Sequence, residues 1–152
     1  MNKNKHCLTV ILLMLVIACV GYSMIHNDVT QESNGVIWDG EHDISIRSEE
    51  KHITFCGFSQ LTFTAEETNQ NVNFFNPPEN DCAMDMEIYL ADGTKLWSID
   101  NIQPNYGVYN IELNQALQRG KYENCTFIIT PYNLETGAEC NGVVIDFTLN
   151  VI

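Results

Sequence analysis

The sequence predicts an antiparallel all-β sandwich of about seven to eight strands, preceded by an N-terminal hydrophobic helix. Three observations carry that expectation. From residue 52 onward apolar and polar residues alternate at period two. Turn-forming residues interrupt the alternation roughly every eight to twelve positions, the spacing of a sandwich or barrel. An Asp92-Gly93 pair lies between two of the alternating runs and supplies the positive φ of a tight hairpin.

The chain opens with Lys3 and Lys5, followed by an uncharged run, CLTVILLMLVIACVGYSMI, over residues 7–25. A positive head before an apolar segment sets its orientation, with the N-terminus inside and everything downstream outside. The run is short for a bilayer span and long for a cleaved signal, so three fates remain open. It can be retained as a signal anchor. Val16-Ile17-Ala18-Cys19 also fits a permissive lipobox in which Cys19 is lipidated, and Gly21 with Ser23 forms a small-x-small cleavage pair. In each case the C-terminal domain is extracellular, held at the cell membrane by the N-terminal segment if that segment is kept or lipidated.

Residues 26–51 read as a polar stalk with one apolar patch, Val36-Ile37-Trp38, and a candidate first strand at Ile44-Ser45-Ile46. Within it, Asp39, Glu41, Asp43, Ser45 and Glu50 stand at ligand places of a calcium loop. The pattern fails because the sixth place holds Ile44 instead of glycine and the ninth holds Arg47.

Residues 52–152 form the sandwich domain. Expected strands are 52–56, 61–65, 71–75, 82–90, 94–99, 107–113, 122–130 and 143–151. The fourth is the clearest, with Cys82, Met84, Met86, Ile88 and Leu90 on a core face and Asp85 and Glu87 on the other. The run 76–81, with its consecutive prolines Pro77 and Pro78, is a loop, because proline cannot donate to a ladder.

Leu117-x-x-Gly120-x-Tyr122 has the form of the corner that, in immunoglobulin-like sandwiches, turns the chain between sheets and anchors the next strand through a tyrosine hydroxyl. The fold expected is therefore immunoglobulin-like, with Gly120 and Tyr122 as its structural corner. The disulfide of that fold has no counterpart here: its cysteine would stand two residues after the tyrosine, at Asn124, and Cys125 lies on the opposite parity.

Several features recur together from about residue 53 to the end: Gly57 beside an aromatic, Asn76-Pro77-x-x-Asn80-x-Cys82, Asp92-Gly93 followed by Leu96-Trp97, Ile111-Glu112-Leu113-Asn114, Gly120-x-Tyr122 and Asn141-Gly142. On these the chain resembles a family of small exported, N-terminally membrane-anchored proteins of unknown function from Gram-positive (Firmicutes-type) gut bacteria, over about two thirds of its length. The shared features belong to turns and core, so the resemblance implies fold and location and brings no catalytic residues. Cys56 and Cys125 depart from that pattern, which leads one to expect proline and a polar residue there.

Charge excludes one large class of partner. Seven Lys and Arg face twenty Asp and Glu, and setting aside Lys3 and Lys5 leaves five against twenty, a net of −15. Phosphate recognition needs a basic face, so no nucleic-acid partner is expected. Four cysteines follow the leader, Cys56, Cys82, Cys125 and Cys140; they permit two disulfides in three connectivities, with one or none expected. No CxxC pair exists, and the histidines precede or flank the domain, so neither a zinc knuckle nor a nucleophile triad is assembled. Asp85 and Glu87 share a strand face as glycosidase carboxylates can, but read better as solvated surface acids. Trp97, Tyr106 and Tyr109 are the candidate surface aromatics. These observations lead to a non-enzymatic interaction module that meets a surface protein or peptide and needs no cofactor, with small-ligand or carbohydrate binding as the alternative.

Overall fold

The computed structural model describes residues 33–40 and 53–152. The hydrophobic leader with Cys19, the strand expected at Ile44-Ser45-Ile46 and the acidic run beyond Gly40 lie outside the described residues.

Strand β4, Cys82–Tyr89, occupies the position its alternation demands. Cys82, Met84, Met86 and Ile88 are buried, and Asp85, Glu87 and Tyr89 are half-buried on the other face. It pairs on one side with β5, Lys95–Ile102, and on the other with β7, Gly120–Asn133. The β4–β5 turn is closed by Leu90 N–H donating to Thr94 O at 2.9 Å and Gly93 N–H donating to Leu90 O at 3.0 Å. Of the Asp-Gly pair only Gly93 takes a positive φ, 86°, so it acts as the left-handed bulge residue of a three-residue loop.

All described regular structure is β, in two sheets arranged as a sandwich. The larger has the order β2-β8-β7-β4-β5, where β2 is Gln60–Phe63 and β8 is Val143–Val151; the smaller has the order β1-β6-β3, with β1 Val36–Ile37, β3 Asn69–Asn76 and β6 Tyr106–Glu112. Every pairing is antiparallel except β2 with β8, which is parallel. Aromatic rings fill the space between the sheets: Phe74 stands 4.7 Å from Phe127 and 5.7 Å from Trp97, centroid to centroid.

Four expectations need correction. Residues 53–58 form no strand. The Asn80 side chain takes over the role of a neighbouring strand: its Oδ1 accepts from Thr54 N–H at 2.9 Å and its Nδ2 donates to Thr54 O at 2.8 Å. With Thr54 held in this way, Phe58 wedges against Phe74, Phe127 and Phe147.

The second concerns the stalk. Val36 and Ile37 pair with Gly107 and Tyr106 of β6, and Trp38, 8% exposed, stacks on Phe75 at 4.4 Å. The described chain from residue 33 to 39 is thus part of the sandwich, so the domain does not start at residue 52. Gly35 and Gly107 permit the approach, since a Cβ on Gly35 would stand 2.7 Å from Gly107 O.

Third, the parity argument for Cys125 fails. The register of β7 shifts between Tyr122 and Cys125, and Asn124 takes φ 55°. A bulge of this kind turns the following residues over, and Cys125 becomes fully buried. Fourth, Trp97 is 7% exposed and belongs to the core, not to a surface platform.

Candidate functional site

At one edge of the sandwich the two sheets end side by side. Strand β5 is the last of the larger sheet, and β6 is covered on its outer side only at Tyr106 and Gly107, by β1. Beyond Gly107, no further strand pairs with that side of β6 among the described residues. An edge in this state presents a row of backbone N–H and C=O groups.

Between the two edges lies a groove of about 430 Å3 whose apolar lining includes Trp97 and Ile99 from β5 and Val108 and Ile111 from β6. Tyr109, Asn110 and Glu112 line it from β6, the last two exposed.

One end of the groove is built by the segment leading into β1. Asn34 N–H donates to Asn101 O at 3.3 Å and its Nδ2 to Asp100 O at 2.9 Å, while Gln103 N–H donates to Ser33 Oγ at 3.2 Å. These bonds strap residues 33–35 across the β5–β6 connection, and Trp38 N–H donates to Asn105 O at 2.9 Å to hold the far side. Tyr109, half-buried, accepts a hydrogen bond at its hydroxyl from Asp39 N–H at 3.1 Å. Tyr106 is half-buried where β6 meets both Asn76 and Ile37.

Beside the β5–β6 connection, the loop of residues 76–81 is tied by buried amides. Asn76, wholly buried, donates through Nδ2 to Cys82 O and Ile102 O, each at 2.8 Å, and Asn80 Nδ2 donates to Asn76 Oδ1 at 2.8 Å. The Asn76-Pro77-x-x-Asn80-x-Cys82 pattern is therefore an amide clamp joining β3, β4, the end of β5 and Thr54.

The carboxylates of β4 are occupied in holding β5. Glu87 accepts from Lys95 Nζ and, at 3.1 Å, from the Tyr89 hydroxyl; Asp85 Oδ1 accepts from Asn101 N–H at 2.8 Å. Partial burial raises the Asp85 pKa above the ordinary aspartate value, against the bond from Asn101. Cys56, Cys82, Cys125 and Cys140 are all free thiols. Burial pushes Cys56 and Cys82 up to about 11 and also raises Cys125, which leaves little thiolate for nucleophilic chemistry at neutral pH. Among the described residues no group of three His, Cys, Asp or Glu is placed to hold a metal ion.

At the corner, the Tyr122 hydroxyl donates to Gln118 O at 3.0 Å, and Gly120 begins β7. Of the three candidate aromatics, Trp97 and Tyr109 come together in the groove and Tyr106 does not line it. Sequence reasoning passed over Asn34, Gly35, Ile99 and Asn110 as site residues, and met Glu112 only within the Ile111-Glu112-Leu113-Asn114 pattern of turns and core. The available signal was a tryptophan at position 38, beside Val36 and Ile37, in an otherwise polar stretch. Against known proteins, no family model, no curated sequence and no solved structure matches this chain.

Proposed function

We propose that this chain is a membrane-anchored extracellular interaction module, without catalytic activity, that meets a surface protein or peptide by strand addition at the β5–β6 edge. The observation that carries the reading is the groove itself, of mixed apolar and polar lining and bordered by two strand edges, the setting in which an extended segment adds to a sheet. Residues 7–25, with Lys3 and Lys5 before them, supply the anchor and orient the domain outward. The fold is an immunoglobulin-like sandwich and the chain one of the small exported proteins it resembles. In support of that fold, the order β8-β7-β4-β5 matches the G-F-C-C′ order of variable-type domains, and the Tyr122 to Gln118 bond has the form of a tyrosine corner. The inter-sheet disulfide is lacking, since β3 carries no cysteine.

A carbohydrate or small-ligand reading draws on Trp97 and Tyr109 in the same groove, but a tryptophan only 7% exposed offers little face for a sugar to stack on. Selection of extended peptides on the full-length protein in detergent, beside a glycan array, separates the two. The expected result is enrichment of peptides whose binding is lost in Asn110→Trp, a variant that fills the groove from an exposed position. Glycan binding lost in the same variant, with no peptide enriched, would overturn the proposal.

A further inference from the structure

We infer that the segment accepted by the β5–β6 groove is an extended polypeptide bearing Lys or Arg at alternate positions. This rests on the strand-addition reading above and specifies the partner. The described cations are Lys95, Arg119 and Lys121, and none of them lines the groove. Lys95 is engaged by Glu87 and Lys121 by Glu123. An acid stands there instead: Glu112 lines the groove and is exposed.

A strand laid along this edge alternates its side chains. One set faces the apolar lining at Ile99 and Ile111, and the other rises to the rim, where a cationic head on a flexible stem reaches the exposed Glu112 carboxylate without being buried. The wider field acts in the same direction. A chain with twenty acids against five bases downstream of the leader concentrates cationic segments near its surface and repels acidic ones, including a second copy of itself.

The test uses the full-length protein in a non-ionic detergent and three labelled ten-residue peptides that share one alternating apolar frame and carry Lys, Gln or Glu at the remaining positions. Fluorescence anisotropy at low salt should give binding of the Lys peptide about ten-fold tighter than the Gln peptide, with the Glu peptide weakest, and the preference should largely vanish in half-molar salt. Glu112→Gln should weaken the Lys peptide about three-fold and leave the Gln peptide unchanged, as expected for one exposed charge pair. Glu135→Gln, on the exposed β7–β8 connection, should change neither. Equal affinity for the Lys and Gln peptides would overturn the charge inference while leaving strand addition standing. Failure of all three to bind would overturn both, and a concentration-dependent dimer that competes with the peptides would assign the groove to a second copy and overturn the inference.

Discussion

Residues 53–58 and strand β4 are both rich in apolar side chains, and both lie against the same core, but they satisfy their backbones in different ways. β4 is bonded by a strand on each side. Thr54 is bonded by the amide of one side chain, Asn80, and residues 53–58 add no strand to either sheet. Periodicity reports that a segment is extended against a core; it does not report what pairs with its N–H and C=O groups. Buried backbone groups must be paired by something. An asparagine with donor and acceptor side by side imitates a strand neighbour for one residue.

This difference can be broken from either side. The largest effect is expected in the strand-paired region: Met86 is wholly buried, and Met86→Ala should lower stability by about 3 to 4 kcal/mol through lost transfer energy and a cavity. In the amide-paired region, Asn80→Ala strands Thr54 N–H and C=O and one acceptor on Asn76, and should cost about 2 kcal/mol. Urea unfolding reads both. A cost for Asn80→Ala near zero would mean that water replaces the amide and that the clamp is incidental.

An exposed version of the same device sharpens the point. The Tyr122 hydroxyl holds Gln118 O at the surface, where water can take over, so Tyr122→Phe should cost only about 0.5 kcal/mol. A cost as large as that of Asn80→Ala would mean the corner is far better sealed from solvent than its exposure indicates.

The smallest effect concerns the polar face of β4. The pKa of Asp85 is raised in the folded state, so folding takes up a proton there as the pH falls. Its contribution to stability is therefore full below the ordinary aspartate value and is lost as pH rises through the raised folded value. Asp85→Asn keeps an acceptor for Asn101 N–H and should leave neutral-pH stability unchanged or slightly improved, with a flatter profile across that window. A variant that loses stability only at neutral pH would reverse the sign of this assignment.

How much of this was legible in the sequence differs element by element. β8 begins and ends where alternation places it, and β4 ends one residue short of the expected Leu90. Both are long, and one face of each meets the core. The Asp92-Gly93 hairpin was legible because positive φ is a local demand. Cys125 was misread because a bulge at Asn124 changes parity, and an exposed asparagine carries no pattern to announce one. Val36-Ile37-Trp38 was visible as apolar, but its pairing with β6, which the close approach of Gly35 to Gly107 permits, is not written in the segment itself. The groove was not legible at all. It arises where two strands of different sheets end together, a property of topology that no single segment encodes.

Hydrogen exchange on the full-length protein, with and without a saturating extended peptide selected on it, tests the central claim most directly. Strand addition at the β5–β6 edge predicts slowed exchange at amides within residues 108–112 and along β5, with the part of β8 not paired to β2, residues 143–147, unchanged. Protection confined to β8 or to the β7–β8 connection, or binding with no backbone protection anywhere, would contradict it.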